Sequence, residues 1–476
     1  MKPLMRLMVP AFALFLAPAS FAQDDRPVSA PSDFAVCEDA AVHPVLNGTL
    51  CATVTVPLDH KRSGDEDIRL FVRKFPTDGH PRGQLWLVAG GPGESGASFY
   101  PFIDTIRAAA PGFDLFIPDH RGTGFSTRLC PEEENPESDG GSALAGAEWG
   151  SCFGALNANA ARTKAFTISN AAHDLRLLMA RHDNGQKRYL YGVSYGTQLV
   201  LRTLAIAPPD NLDGVILDSV IPPEDDTQWD LSHRSAVTDM VGRQALSDCE
   251  QDDACRKLFA GPVVTELEAL LADPAVVEML GPKPKYTLSS LLDLPETRAM
   301  LPYVIAGLRV GDPAWLEHAK ARLAGLGAKF APFKQGFSSV PLVSLISRSE
   351  NNPRPDLTAE QIATEEAAYL FASPLPSLLL AGGIPSYDRD EYFARLPGSI
   401  PPMLVLHGDL DPKTAYPGAQ ANVRRIGAVG RVRLTTIKGA PHFILMTAPK
   451  CFTASVQGFL ENGLLPEPSV CMLNDG

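Results

Sequence analysis

Short runs in which nearly every residue is apolar recur along the first half of the chain, and each ends in a turn-forming cluster or a stretch with helical spacing. Residues 49–57 and 68–75 alternate as strands do and flank the polar turn 60–65, which predicts a strand pair. Residues 84–89 and 113–118 are almost continuously apolar. They end in Gly90-Gly91-Pro92-Gly93 and in Asp119-His120-Arg121-Gly122-Thr123-Gly124. Residues 169–181 place Ala172, Leu175, Leu178 and Met179 on one helical face; 188–193 read as a strand, 195–207 as a helix and 212–220 as a strand. Strands apolar on both faces and alternating with helices predict an α/β fold, a mostly parallel sheet covered on both sides. The rhythm stops at residues 221–226. From there to about residue 397 the pattern is helical, broken by Pro and Gly. It resumes with a strand at 402–407, a helix from 414, an expected last strand at 431–437 and a closing helix at 448–463. The expected layout is a signal segment at 1–22, a core at 23–220, a helical lid inserted at 221–398 before the last two strands, and the rest of the core at 399–476.

Charge and composition narrow the function. The 476 residues are 45% hydrophobic and 20% charged, as in ordinary globular proteins. The net charge of −13 becomes −15 without residues 1–22, which hold Lys2 and Arg6 and no acid. Such a chain has no generic attraction for nucleic-acid backbones, so a nucleic-acid partner is excluded. Lys2 and Arg6, the apolar run 7–16 and the small residues Ser20 and Ala22 make a cleavable export signal, too short to cross about 30 Å of hydrocarbon. No later run approaches a membrane span, so integral membrane association is not expected and the mature chain should be periplasmic or secreted. Cys37, Cys51, Cys130, Cys152, Cys249, Cys255, Cys451 and Cys471 fall into four local pairs without a CxxC spacing. This favours neighbour-to-neighbour disulfides over zinc. The acidic stretch 131–141 reads as a solvated loop.

The sharpest chemical signal is Gly192-Val193-Ser194-Tyr195-Gly196 between a strand and a helix, the layout of a nucleophile elbow. A serine hydroxyl needs a base to take its proton and a carboxylate to orient that base. In the order Ser, acid, His, the strand at 402–407 ends in His407-Gly408-Asp409-Leu410-Asp411, and the last expected strand ends in Gly439-Ala440-Pro441-His442. Asp409 competes with Asp411 as the acid; Asp411 is preferred because a carboxylate a few residues past the strand can reach the His442 loop. His407, His120 and His173 read as structural, and His182 as a helix-end residue. The backbone N–H groups of Gly91 and Tyr195 are the candidate oxyanion donors. No phosphate-binding glycine motif sits at a strand–helix junction, so no cofactor is expected, and no metal either.

These residues carry a resemblance. Val56-Pro57-Leu58-Asp59-His60, the Gly90–Gly96 loop, Asp119 through Ser126, the Ser194 elbow, Leu217-Asp218-Ser219, His407 through Pro412 and His442 resemble the exported α/β-hydrolase peptidases of the prolyl and tripeptidyl aminopeptidase group. Cys451, residues 463–466 and Cys471 resemble the C-terminal extension of the tripeptidyl branch. The resemblance implies an α/β-hydrolase fold, a triad of Ser194, Asp411 and His442, and release of N-terminal residues from short peptides through an acyl-enzyme. Two positions depart from it: Ala89 stands where a His usually precedes the glycine loop, and Arg348 where relatives carry a Cys. An esterase or amidase acting on small acyl substrates with the same triad is the alternative, and a non-catalytic binding protein the third reading. An aminopeptidase needs a carboxylate to hold the substrate ammonium. Glu350 is the expected one, in a lid segment resembling the group's, and Glu94 beside the glycine loop is second.

Overall fold

The computed structural model describes residues 33–62, 64–134, 148–333, 335, 338–380, 383–463 and 470–473. The expected export signal, part of the acidic loop and residues 464–466 of the C-terminal extension lie outside them. The strands are β1 Ala35–Val36, β2 Leu50–Pro57, β3 Asp67–Phe75, β4 Gly83–Val88, β5 Phe113–Asp119, β6 Lys187–Val193, β7 Leu212–Asp218, β8 Met403–Gly408, β9 Val432–Lys438 and β10 Val470–Met472. They form one sheet in the order β1-β2-β3-β5-β4-β6-β7-β8-β9-β10. Pairing is antiparallel from β1 to β5 and parallel across the rest. This is the α/β-hydrolase fold.

The two-residue period of a strand explains how the apolar runs serve both faces. Trp86 and Val88 of β4, Leu190 of β6 and Met403 and Val405 of β8 enter one core layer. Leu85 and Leu87, Tyr191 and Val193, and Leu404 and Leu406 enter the other. The first layer is closed by the helices Ile168–Arg181, Tyr195–Ile206 and Tyr416–Ile426, the second by Ile103–Ala109 and Pro449–Asn462. Each fully buried Leu, Val or Phe contributes about 1.5–3 kcal/mol of transfer free energy, so the two layers fix the strand register.

Between β7 and β8 the chain is helical, and Leu246, Leu288, Leu301, Ile305 and Phe371 form a core separate from the sheet's. Part of this segment does not share that core. Leu342, Leu345 and Ile346 of the helix Val340–Glu350, with Ile384 and Tyr387, pack into the first sheet layer.

Two elements differ from expectation. β7 stops at Asp218 rather than at residue 220, because Ser219 adopts a φ of 54° that ends the extended backbone. The strand at 432–438 is not the last: β10 pairs parallel with it, so among the described residues three strands follow the helical segment. With three residues, two of them exposed, β10 has no apolar alternation to reveal it. The cysteines pair as neighbours, Cys37–Cys51, Cys130–Cys152, Cys249–Cys255 and Cys451–Cys471. The last of these ties β10 to the helix Pro449–Asn462.

Candidate active site

Ser194 sits between β6 and the helix Tyr195–Ile206 with φ 54° and ψ −125°. A non-glycine residue held there costs on the order of 1–3 kcal/mol and persists only where its surroundings enforce it. Its N–H donates to the Asp218 carbonyl at 3.0 Å, and its hydroxyl does not cap the helix. The flanking glycines are steric requirements. A Cβ on Gly192 would lie 2.5 Å from the Gly196 carbonyl oxygen, and one on Gly196 would lie 2.4 Å from that of Val88. Strand, helix and neighbouring strand meet too closely for a side chain.

Asp411 and His442 arrive from the loops after β8 and β9. His442 Nδ1 lies 2.7 Å from Asp411 Oδ2, and the carboxylate is fully buried. The same carboxylate accepts from the N–H groups of Lys413 and Thr414 at 2.7 and 2.8 Å and from the Thr414 hydroxyl at 2.7 Å. Burial alone would raise its pKa. The charge and hydrogen bond of His442, with His407 and the Thr414 N–H, outweigh this and hold Asp411 well below the usual carboxylate range. A carboxylate at Nδ1 fixes the imidazole tautomer and leaves Nε2 as the proton acceptor. Asp409 does not reach His442; it accepts from the Gly439 N–H at 2.7 Å and pairs with Lys438 at 3.0 Å. His407 is buried, and its Nε2 lies 2.9 Å from the Thr414 carbonyl.

The loop carrying His442 hangs on the end of β7. The Asp218 carboxylate accepts from the N–H groups of Ile444 and Leu445 and from the Tyr191 hydroxyl, and the Ser219 hydroxyl accepts from the Phe443 N–H at 2.8 Å. Burial raises the Asp218 pKa against these donors. Asp218 and Ser219 therefore position the His442 loop, a role that sequence reading did not assign. Asp119, from the other glycine-rich motif, accepts from the Gly96 and Phe125 N–H groups and anchors the loop after β4.

That loop lies against the serine. A Cβ on Gly90 would meet Ser194 Cβ at 3.1 Å, and Gly91 takes φ 108°. Tyr195 opens its helix, so its N–H has no intrahelical acceptor. Both candidate donors thus lie beside Ser194, with Ala89 immediately after β4. Ser339, N-cap of Val340–Glu350, donates its N–H to the Gly93 carbonyl at 2.9 Å and fastens the loop to the helical segment.

Ser194, Gly91 and Tyr195 line a cleft with Gln198, Glu224, Asp230, Arg234, Asn351, Lys413 and Thr414. His442 opens on an adjoining cavity of about 530 Å³ that shares Lys413 and holds Glu94 and Phe443. Among the described residues no hydrogen bond joins Ser194 to His442, a contact that commonly tightens only when substrate binds.

Of the two expected ammonium-binding acids, Glu350 is misplaced. It is 1% exposed, lines neither cavity, pairs with Arg202 at 3.1 Å and accepts from the Tyr387 hydroxyl at 3.2 Å. Arg202 also meets Glu224 at 2.8 Å and Asp390 at 3.8 Å, so one guanidinium faces three carboxylates. Glu224 is the member of that surplus which reaches the cleft. Its place just past the end of β7, where the strand edge delivers the other site residues, is the signal that could have singled it out. Glu94 lines the second cavity. Burial raises its pKa, opposed by Lys413 and His442.

Comparison with known proteins agrees with this architecture. The family model described as alpha/beta hydrolase fold matches residues 85–260, and that of the TAP-like protein matches 381–471. The serine protease Hip1 of Mycobacterium tuberculosis is 29% identical over 252 residues, covering 49% of this chain and 47% of the relative. A tripeptidyl aminopeptidase of Streptomyces coelicolor is 32% identical over 203 residues, 38% of this chain and 36% of the relative. A carboxylesterase B of M. tuberculosis is 37% identical over 86 residues, 16% of this chain and 15% of the relative. The chain thus spans less than half the length of each of these curated relatives.

Proposed function

We propose that this chain, an α/β-hydrolase fold whose C-terminal part matches the TAP-like model, is an exported serine exopeptidase that releases N-terminal residues from short peptides. The observation that carries the reading is the buried Asp411–His442 pair, 2.7 Å apart, on the same sheet edge as the strained Ser194. His442 Nε2 takes the proton of the Ser194 hydroxyl as its oxygen adds to the scissile carbonyl. The N–H groups of Gly91 and Tyr195 receive the oxyanion. Collapse breaks the C–N bond, His442 returns the proton to the leaving amine, and water repeats the sequence on the acyl-enzyme. Asp411 stays ionised throughout and stabilises the imidazolium. Glu224 replaces Glu350 as the group that would hold the substrate ammonium, because it lines the cleft and belongs to a cluster with more negative than positive charge. The signal-like residues 1–22 and the four disulfides support export.

One feature favours a second reading. The cavity at His442 is walled by Leu326, Phe330, Phe333, Phe443 and Met446 and would accept an acyl chain, as an esterase requires. A panel of aminoacyl- and tripeptidyl-naphthylamides against p-nitrophenyl esters separates the two. The exopeptidase reading predicts amide turnover that disappears when the substrate amine is acetylated. Ester turnover alone would transfer the site to the esterase reading.

A further inference from the structure

Arg234 begins the helix Arg234–Gln251 and is half-buried in the wall of the Ser194 cleft. It also lines a neighbouring cavity of about 350 Å³ with Tyr286, Ser289 and Ser373. Among the described residues its guanidinium makes no hydrogen bond and no ion pair. The contrast with Arg202 is sharp, since that side chain serves three carboxylates. Burial lowers the Arg234 pKa to about 10 against the nearby charges of Asp411, Asp293 and Asp230, so it is cationic at neutral pH. Those three acids are committed elsewhere. Asp411 holds His442, Asp293 pairs with Lys413 at 3.1 Å, and Asp230 accepts from the Ser232 N–H and pairs with His233 at 2.6 Å.

A guanidinium offers five N–H donors in a rigid fork that matches a carboxylate, and leaving them unmet on a cleft wall is unfavourable. Lys413 lines the same two cavities, but its charge is shared with Asp293, which leaves Arg234 as the cation without a partner. At Glu224 the cleft adjoins a different cavity, lined by Tyr392 and Arg395. The cleft thus holds Glu224, already paired with Arg202, and Arg234, whose donors are unmet, so an added carboxylate is matched at Arg234.

We infer that Arg234 forms a carboxylate-binding subsite in the Ser194 cleft, so that favoured substrates are short peptides with an anionic group close to the scissile bond. The carboxylate is either the peptide's own C-terminus or an acidic side chain. The inference rests on the exopeptidase reading, and its test is made independent of turnover.

Binding of three peptides to the Ser194→Ala protein is measured by calorimetry: Ala-Ala-Ala as the free acid, Ala-Ala-Ala amide, and Ala-Glu-Ala amide. At least one carboxylate-bearing peptide should bind about tenfold or more tighter than the neutral amide, as expected for a charge-assisted contact. Which one gains identifies the carboxylate's source. Arg234→Gln in the same background should bring the ratio within about twofold, and Arg234→Lys should retain part of it. Equal affinities for all three peptides, or no measurable binding of any, overturns the subsite. A preference that persists in a folded Arg234→Gln protein also overturns it. Failure of the exopeptidase reading would appear separately, as no Ser194-dependent turnover of the aminoacyl- or tripeptidyl-naphthylamides.

Discussion

Single residues carry most of the chemistry, and their local rules were the most readable part of the chain. Ser194 is recognisable because only a strand-to-helix turn flanked by glycines can hold its backbone, and both glycines prove to be packed against carbonyl oxygens. Choosing between Asp409 and Asp411 needed the loop geometry. Asp409 serves Gly439 and Lys438, whereas Asp411 faces His442. Asp411→Asn should therefore lower kcat by about 10⁴-fold by favouring the wrong imidazole tautomer, while Asp409→Asn should stay within about tenfold of wild type. Steady-state kinetics on one peptide amide decides it, and a reversed ranking would give the acid's role to Asp409. Glu350 was not readable in this way. Its partner Arg202 lies 148 residues earlier, and no local pattern encodes that pairing.

Among the elements, strands buried on both faces were legible because each holds a run of three or more apolar residues ending in a turn signal. The two- and three-residue edge strands β1 and β10 were not, since exposed edges need no apolar pattern. Nor did periodicity show that the end of β7 supports the loop after β9. The Asp218 carboxylate takes two backbone N–H groups of that loop. Asp218→Asn replaces one acceptor oxygen with a donor facing those groups and should cost about 1.5–3 kcal/mol. With His442 released from its position, kcat should fall about tenfold or more while KM changes little. Thermal unfolding and kinetics measured on the same preparation check both halves. An unchanged kcat in a destabilised protein would restrict Asp218 to a structural role.

At the level of the whole molecule, buried histidines couple stability to pH. His120 is 7% exposed, and burial lowers its pKa to about 4, against the Arg121 carbonyl and Asp174. Between about pH 6.5 and 4 the unfolded chain takes up a proton that folded His120 refuses, so its contribution to stability is lost as the pH falls through that window. The Tm of wild type should drop more steeply from pH 6.5 to 4 than that of His120→Phe; parallel curves would remove His120 as a source. The central claim also belongs to the whole molecule. It is that residue 194, before the helical segment, acts as one unit with residues 411 and 442, after it. The most direct measurement is labelling with a fluorophosphonate probe followed by peptide mass spectrometry. A single adduct on Ser194 is expected in the wild-type protein, and its loss in a folded His442→Ala variant. An adduct on another residue, or Ser194 labelling that survives His442→Ala undiminished, would contradict it.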